Sequence, residues 1–420
     1  MFKRVSGTKD ILSKEEITAW LKIEAEARRV FSLYNYQEIR TPILEELALF
    51  NRSLGVSTEI VQKQMFVIKT KEDEYVLRPE GTASVVRAYL ENNLDKTSGF
   101  SKFYYTGAMF RFERPQKGRL RQFHHLGCEV IGSLDPAVDV EVISLADYLL
   151  KSLPAKEEGY KIKLNSLGCQ KDKDGLAKEL RKILKGHLSK VCADCKKRFK
   201  TNVFRILDCK NDACKEVVSS LGVSDSHLCP ECREHFDKVR AGLKLLNIEY
   251  EFSPTLVRGL DYYTRTVFEI THPVLGAQDA LCAGGRYDNL VKELGGPDLG
   301  AIGFAFGMER LVLVREQRTE DRGQNLAYLI TLGEEAKNQG LKLLDNLRKS
   351  GIQADTDYEN KSLKAALRRA NGLGALKVLI LGEDELKNNV VTLKDMASGD
   401  QREVKQEDLI RGLRDNELKL

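Results

Sequence analysis

Two apolar runs of strand length bracket a basic turn between Phe103 and Ile131, and this arrangement constrains the chain more than any other stretch. Phe103-Tyr104-Tyr105 runs through to Phe112 on one side, Phe123 runs through to Ile131 on the other, and Pro115 to Leu120 supplies turn residues between them. Aromatic and apolar runs bounded by Pro and Gly read as antiparallel strands, joined here by a long loop. Side chains two apart share a strand face, so Arg111 and Glu113 point one way, and His125, Gly127 and Glu129 share a face of the second strand. Phe110, Phe112, Leu126, Cys128 and Val130 take the opposite faces. A strand pair that buries one side and lines the other with Arg, His and Glu reads as the floor of a site. The cations Arg111, Arg114, Lys117, Arg119 and Arg121 imply an anionic ligand, and phosphate suits them. A solvated charged hairpin is the plainer reading of such a run taken alone.

At 420 residues the chain exceeds one ordinary core, and roughly two or three domains are expected. Hydrophobic residues at 42% and charged residues at 31% describe an ordinary soluble composition. Lys3 and Arg4 are not followed by an apolar run, and nowhere do about 18 uncharged apolar residues occur together. A cytoplasmic protein with no membrane partner is therefore predicted. A net charge of +5 is mild, so any polyanionic partner must be met by local basic patches.

Of nine cysteines, six fall between Cys192 and Cys232, which argues for metal rather than disulfides in a chain without an export signal. Cys192-Ala-Asp-Cys195 and Cys229-Pro-Glu-Cys232 are two knuckles, and a tetrahedral four-sulfur zinc site needs two such bites. The expectation is one structural zinc held by Cys192, Cys195, Cys229 and Cys232, with Cys209 and Cys214 as substitutes. Reduced thiols that bind nothing are the alternative.

Helical spacing of Ile17, Trp20, Leu21, Ile23, Ala27, Val30 and Phe31 predicts a long helix ending before Thr41-Pro42, followed by a strand. Short strands continue to Gly132, with a helix after Gly81 and another over about 137–150. Lys161 to Asn165 reads as a strand, after which Lys, Asp and Cys dominate to about Val239. The division expected is 1–168 as the first part of a core, 169–243 as an inserted Cys-rich module, 244–320 as the second part, and 325–420 as a further domain. Within the last, strand and helix alternate from Leu326 through Val378 to Leu381, which predicts a small α/β domain with mostly parallel pairing.

Five stretches together resemble the histidyl-tRNA synthetases, a family of class II aminoacyl-tRNA synthetases. They are Leu77 to Thr82, the hairpin Phe110 to Val130, Arg258-Gly259-Leu260-Asp261-Tyr262-Tyr263-Thr264, Gly284-Gly285-Arg286-Tyr287-Asp288, and Gly303 to Arg310. The resemblance covers nearly the whole chain. The general class signatures are the long helix into Ile39-Arg40-Thr41-Pro42, the hairpin, and the closing strand and helix at Arg310. The stretches around Arg258 and Arg286 speak for histidine.

What the resemblance implies is an α+β catalytic core with a mixed, mainly antiparallel sheet flanked by helices, a helical Cys-rich insertion, and a C-terminal α/β anticodon-binding domain. It implies a homodimer, and ATP-dependent activation of L-histidine to histidyl-adenylate followed by transfer to the histidine tRNA. ATP enters with magnesium. Attack on the α-phosphorus builds negative charge, which fixed cations stabilise, and Arg111 and Arg258 suit that role. The family implies histidine binding by Glu80, Thr82, His125, Glu129, Arg258, Tyr262 and Tyr263: Glu80 and Thr82 at the α-ammonium, Glu129 and Tyr263 at the ring. ATP falls to Arg111, Glu113, Arg119 and Arg310. Arg114, Gln116 and Lys117 suit the acceptor end of the tRNA. Lys364 and Arg368 lie four apart on the helix opened by Ser362 and form one face for RNA or for solvent.

Residue by residue, plainer roles compete: Glu80 as a helix-start carboxylate, Tyr262-Tyr263 as sheet packing. Gly127, Gly284 and Gly285 are expected to leave room for a ligand near the backbone. Two departures from the family pattern stand out. His125 occupies a position where glutamine is common, and the Cys-rich insertion is absent from many members. A neutral His125 can accept from an ammonium, so histidine affinity is expected to fall as pH drops through its pKa, starting from an ordinary value of ~6.5. The synthetase-like regulatory subunit of ATP phosphoribosyltransferase is disfavoured by residues 325–420 and Arg258, and a synthetase for threonine or proline by Arg258 to Thr264.

Overall fold

The structure is a computed structural model that describes residues 2–55, 58, 60–116, 118–153, 159–315, 326–359 and 361–414. Two compact units emerge, Met1–Glu316 and Gln317–Leu420. The expected boundary between 320 and 325 lies outside the described residues. Among the described residues no helix is long and apolar enough to cross a membrane.

The larger unit is built on an eight-stranded sheet ordered Gln37–Glu38, Ser101–Phe110, Gln122–Ile131, Ala301–Gly307, Ala280–Arg286, Thr264–Thr271, Lys161–Ser166 and Glu251–Phe252. The outermost pairing at each edge is parallel and the five between are antiparallel. The expected hairpin forms, with Tyr105 opposite Gly127 and Phe103 opposite Glu129. Alternation then sorts the side chains. Tyr104, Leu126, Cys128, Val130, Ile302, Phe304 and Phe306 enter one core cluster, while Phe103, Tyr105 and Val267 enter another.

Helices cover the first of these faces. Ser13 caps the helix Lys14–Leu33 by accepting from the Glu16 backbone N–H, and Trp20, Ile23, Ala27, Val30 and Phe31 form its buried stripe. Ile17 and Leu21, expected on that stripe, lie on its flank and are 40% and 60% exposed. Phe31 stacks on Tyr104 at 4.6 Å between ring centroids. The helix Pro230–Leu245 reaches the same core through Phe236, Val239 and Leu243, and packs so tightly that a Cβ at Gly242 would meet Val140 Cγ2 at 2.6 Å. The rest of the stretch from Cys169 to this helix is helical: Gln170–Leu184, Ala193–Thr201 and Asp212–Ser220.

Arg286 is the largest fully buried side chain among the described residues. Its Nε donates to Asp139 Oδ1 at 2.6 Å, Nη1 to Asp288 Oδ1 at 2.9 Å and the Ser133 carbonyl at 3.0 Å, and Nη2 to the Asp135 carbonyl at 3.0 Å. Thr266 Oγ1 donates to the other Asp139 oxygen at 2.7 Å. The stretch Gly284–Asp288 therefore ties its strand to the helix Pro136–Ser152 and to the turn that precedes it.

The smaller unit has a five-stranded sheet ordered Ala354–Thr356, Ala327–Thr331, Lys377–Leu381, Val390–Asp395 and Gln401–Lys405. Its first two pairings are parallel and its last two antiparallel, so the mostly parallel sheet expected from sequence is half so. The difference is the hairpin 390–405. Asn389 and Gly399, at φ 53° and 85°, provide its entry and turn. Lys364 and Arg368 are both exposed on the helix Leu363–Gly372.

Replacing Arg286 by Leu leaves Asp139 as a buried charge without a cation, and such losses cost about 3–5 kcal/mol. The calorimetric transition of the larger unit is expected to fall by several degrees in Arg286→Leu. Adding Asp139→Asn should recover part of that loss. Equal or greater loss in the double variant would place the cost in packing instead.

Candidate active site

The first strand of the hairpin ends at Phe110, so strand parity no longer orients Arg111 and Glu113. Contacts do so instead. Arg111 Nε donates to the Pro79 carbonyl at 2.8 Å while its guanidinium lies 5.2 Å from the centre of the Phe123 ring. Glu113 pairs with Arg119 at 3.2 Å, and Gln116 and Arg119 exchange backbone hydrogen bonds of 3.0 Å. Arg114 and Gln116 are exposed, and Lys117 lies outside the described residues. Arg310 reaches across from the helix Met308–Val314 to the carbonyls of Gly118, at 3.0 Å, and Ala280. Its neighbour Glu309 accepts from the His124 backbone N–H at 3.0 Å, which pins this helix to the floor strand.

A cavity of about 310 Å³ opens above the strands, lined by Glu80, Thr82, Arg111, Arg119, His125, Arg258, Tyr262, Tyr263 and Arg310 among others. Glu129 is 1% exposed beneath it. Its carboxylate accepts from Thr82 Oγ1 at 2.7 Å, the Tyr105 hydroxyl at 3.1 Å and the Tyr287 hydroxyl at 2.5 Å. Burial outweighs these bonds and raises its pKa to about 8. Glycine makes the packing feasible: a Cβ at Gly127 would meet the Tyr105 ring and the Phe304 carbonyl at 2.7 Å, and one at Gly303 would meet Glu129 Oε2 at 2.0 Å. The room at Gly127 is thus taken by protein rather than ligand. A Cβ at Gly284 or Gly285 would likewise strike a sheet carbonyl at 2.6 Å, so both serve the sheet.

Glu80 is buried and its two oxygens accept from the Thr82 and Ala83 backbone N–H groups at 2.7 and 2.9 Å, at the start of the helix Thr82–Glu91. The helix-start role is therefore present, on a residue that also lines the cavity. Tyr262 and Tyr263 pack at 4.7 Å, and Tyr262 stands edge-on to Tyr287 at 5.7 Å. Burial raises the Tyr263 hydroxyl to about 12. Arg258 Nη1 pairs with Glu269 Oε2 at 2.6 Å, while its buried Nε has no hydrogen-bond partner among the described residues.

His125 Nδ1 is buried and has no partner among the described residues either. Burial, followed by the nearby charges of Arg111 and Arg78, holds this imidazole well below its usual pKa. The acid-side titration expected of it from sequence therefore moves to lower pH. It remains a neutral ring, able to accept a hydrogen bond, throughout the physiological range.

The two cysteine knuckles do not converge. Cys192 and Cys195 gather with Cys209 and Cys214, whereas Cys229 and Cys232 gather with Cys169 and Asp172, the ligand atoms of each group lying within 4.8 Å of one another. Cys195 and Cys214 belong to one core cluster and Cys232 to the other, so no common ion can join the knuckles. In the four-cysteine group Cys192 Sγ and Cys209 Sγ are 3.9 Å apart, and the Cys192 backbone N–H donates to Cys214 Sγ at 3.2 Å.

Sequence reasoning missed several residues. Tyr105 could have been found from the hairpin register, which sets it opposite Gly127. Arg205, Asp208 and Lys210 line the same cavity from the Cys-rich helical stretch, with Cys209 between the last two. Their only local signal is a short charged run.

A family model described as histidyl-tRNA synthetase matches residues 7–311, and one described as anticodon binding domain matches residues 327–416. The histidine–tRNA ligase of Halothermothrix orenii is 45% identical over 97% of this chain and 98% of its own length. That of Thermosipho melanesiensis is 44% identical over 98% of both. The crystal structure of apo histidyl-tRNA synthetase from S. aureus superposes with a TM-score of 0.79 at 34% identity, covering 99% of this chain and 100% of that one.

Glu129 provides a test of this electrostatic picture. Unfolded, a glutamate titrates near ~4.3; folded without ligand, Glu129 titrates at about 8. Between those values the folded state holds a proton that the unfolded state lacks, so its contribution to stability is present at low pH and is lost as pH rises through about 8. Relative to the parent, ligand-free Glu129→Gln is expected to gain thermal stability from pH 5 up to about 8 and to level off above it. A constant offset between the two proteins would mean that Glu129 is ionised throughout.

Proposed function

The chain belongs to the histidyl-tRNA synthetase family, and from that premise we propose how its cavity divides the substrates. The activity is histidine–tRNA ligation: ATP drives formation of histidyl-adenylate, and histidine then passes to the 3′ end of its tRNA with release of AMP and diphosphate.

The observation that carries the site reading is the buried Glu129, held by the hydroxyls of Thr82, Tyr105 and Tyr287 beneath a cavity that these three residues line together with Arg111, Arg258 and Arg310. A carboxylate held in place with one lone pair to spare, on Oε2, suits an imidazole N–H. We assign Glu129 and Tyr263, with Tyr262 packed behind, to the ring. Glu80, Thr82 and His125 take the α-ammonium. Each Glu80 oxygen has accepted one N–H and keeps a lone pair, and the orphan nitrogen of His125 has no other acceptor role. A site that hydrogen-bonds its substrate in this way can reject analogues by ~10⁴ without editing.

Arg258 is the cation assigned to the reacting carboxylate and α-phosphoryl group. Its pairing with Glu269 orients the guanidinium, and its free Nε offers a donor. Arg111, Glu113, Arg119 and Arg310 are assigned to ATP, which enters as its magnesium complex. Arg114, Gln116 and Lys117 are assigned to the tRNA acceptor end, and Lys364 with Arg368 to the anticodon. A homodimer, a cytoplasmic location and the division 1–168, 169–243, 244–320 and 325–420 complete the reading.

Zinc is the metal assigned to the four-cysteine group. Four thiolates suit a structural site, and the observed 3.9 Å sulfur separation matches the edge of a tetrahedron with ~2.3 Å bonds. Cys192, Cys195, Cys209 and Cys214 would hold the ion, which would then fix Asp208 and Lys210 at the cavity.

Amino-acid-dependent pyrophosphate exchange across all twenty amino acids tests the assignment, with histidine alone expected to support exchange. Arg258→Ala should fold and slow histidine-dependent exchange by on the order of 10² or more, the usual loss for a transition-state charge partner. Near-normal exchange in that variant would remove Arg258 from the chemistry.

His125 is tested by shape-similar replacements. Because its ring stays neutral, wild type and His125→Gln are expected to show parallel histidine KM profiles between pH 5.5 and 8, both following the substrate imidazole. His125→Leu, which removes the acceptor, should raise KM by roughly tenfold, the worth of about one hydrogen bond to a charged group. An unchanged KM in His125→Leu would retire the contact.

A further inference from the structure

Cys169, Asp172, Cys229 and Cys232 lie outside both the cavity lining and the four-cysteine group, yet their ligand atoms fall within 4.8 Å of one another. Cys169 precedes the helix Gln170–Leu184 and Cys229 precedes the helix Pro230–Leu245. The two half-sites share one spacing: a cysteine at the helix entrance and a second anionic donor three residues on, Asp172 in one case and Cys232 in the other. Cys192 and Cys195 repeat the same arrangement at the start of Ala193–Thr201. A helix N-terminus favours an anionic ligand, and the first-turn position three residues on points back to the same spot.

Asp172 joins the halves. Its Oδ2 accepts from the Cys169 N–H at 3.2 Å and its Oδ1 from the Cys229 N–H at 3.1 Å. Each carboxylate oxygen has two lone pairs, so one on each stays available to an ion. The approach is tight enough to require glycine beside it: Gly168 has φ 72°, and a Cβ there would meet Asp172 Oδ2 at 2.5 Å. Asp172 is 5% and Cys232 1% exposed. A buried carboxylate next to three sulfurs, with no Lys or Arg bonded to it among the described residues, is the donor set of a cation site.

We infer that these four residues form a second metal site, Cys3Asp, that takes zinc and joins the core strand Lys161–Ser166 to the returning helix of the insertion. Three sulfurs and one oxygen in a tetrahedron suit zinc, and closure of the set leaves no coordination position for substrate. The site is structural. It goes beyond the zinc reading of the four-cysteine group and stands or falls separately from it.

Metal analysis of the full-length protein, expressed in zinc-supplemented medium and purified without a metal-chelating tag, tests the inference. Two zinc ions per chain are expected. Cys229→Ser should retain one and Cys209→Ser should retain the other. Asp172→Asn, which keeps a hydrogen-bond acceptor and loses the anion, should surrender one zinc to a chelator at least tenfold faster than wild type. Because Cys229→Ser could fail to fold, thiol labelling of wild type supplies an independent arm. Cys169, Cys229 and Cys232 should resist a disulfide reagent until a chelator withdraws metal, with the labelled positions mapped by mass spectrometry. A single zinc that Cys209→Ser removes and Cys229→Ser leaves would overturn the site, as would immediate labelling of Cys229 in zinc-loaded protein. Iron in place of the second zinc would overturn the metal assignment.

Discussion

The buried ion pair between Arg286 and Asp139 sets the geometry on which the site depends. A guanidinium and a carboxylate both at 0% side-chain exposure are tolerable only when nearly every donor and acceptor is matched. Here Asp139, Asp288 and the carbonyls of Ser133 and Asp135 meet the guanidinium from three directions. That fixes the end of the strand Ala280–Arg286 against one helix to within hydrogen-bond tolerance. The next residue, Tyr287, faces the other way, and its hydroxyl lands on Glu129 at 2.5 Å. Two consecutive residues at the end of one strand thus link the helical face, through Arg286, to the carboxylate beneath the cavity, through Tyr287.

The sheet and hairpin were legible in the sequence because their signals are local. Aromatic runs, a Pro/Gly turn and period-two alternation report strand pairing without knowledge of the rest of the chain. The site residues were legible by the same means only in part. Parity put His125 and Glu129 on one face, and the register agrees, with Gly107 opposite the first and Phe103 opposite the second. Parity failed for Arg111 and Glu113 because the strand had already ended. It also could not say that the space beside Gly127 would be filled by Tyr105, since that depends on which side chain the neighbouring strand brings across.

The cysteines show where local reading runs out. Spacing correctly identifies a two-residue bite, because i and i+3 meet on the first turn of a helix. Which two bites share an ion depends on where the helices travel. Ala193–Thr201 and Pro230–Leu245 contribute to different core clusters, so the obvious partners are separated. Each knuckle instead completes itself with residues that have weaker signatures. Cys209 and Cys214 have four residues between them, and Cys169 is paired with a carboxylate, so no second CxxC marks either place.

Those positions show how the Cys-rich helical stretch reaches the cavity and the segment beside it. Cys209 is flanked by Asp208 and Lys210, which line the cavity, and Arg205 from the preceding turn lies against Gly259. Asn202 donates to Asp261 at 2.8 Å, and Lys173 to the carbonyls of Asp261 and Tyr263 at 3.0 and 2.9 Å. The segment Arg258–Tyr263 is therefore held by side chains of the Cys-rich helical stretch and by the Arg258–Glu269 pair rather than by backbone ladder bonds. A loop with few ladder bonds has low local stability unless something outside it restrains it. The four-cysteine group lies midway along this stretch and the group of Cys169, Asp172, Cys229 and Cys232 joins its two ends; Lys173, which bonds the segment, follows Asp172, and Asp208 and Lys210, which line the cavity, flank Cys209.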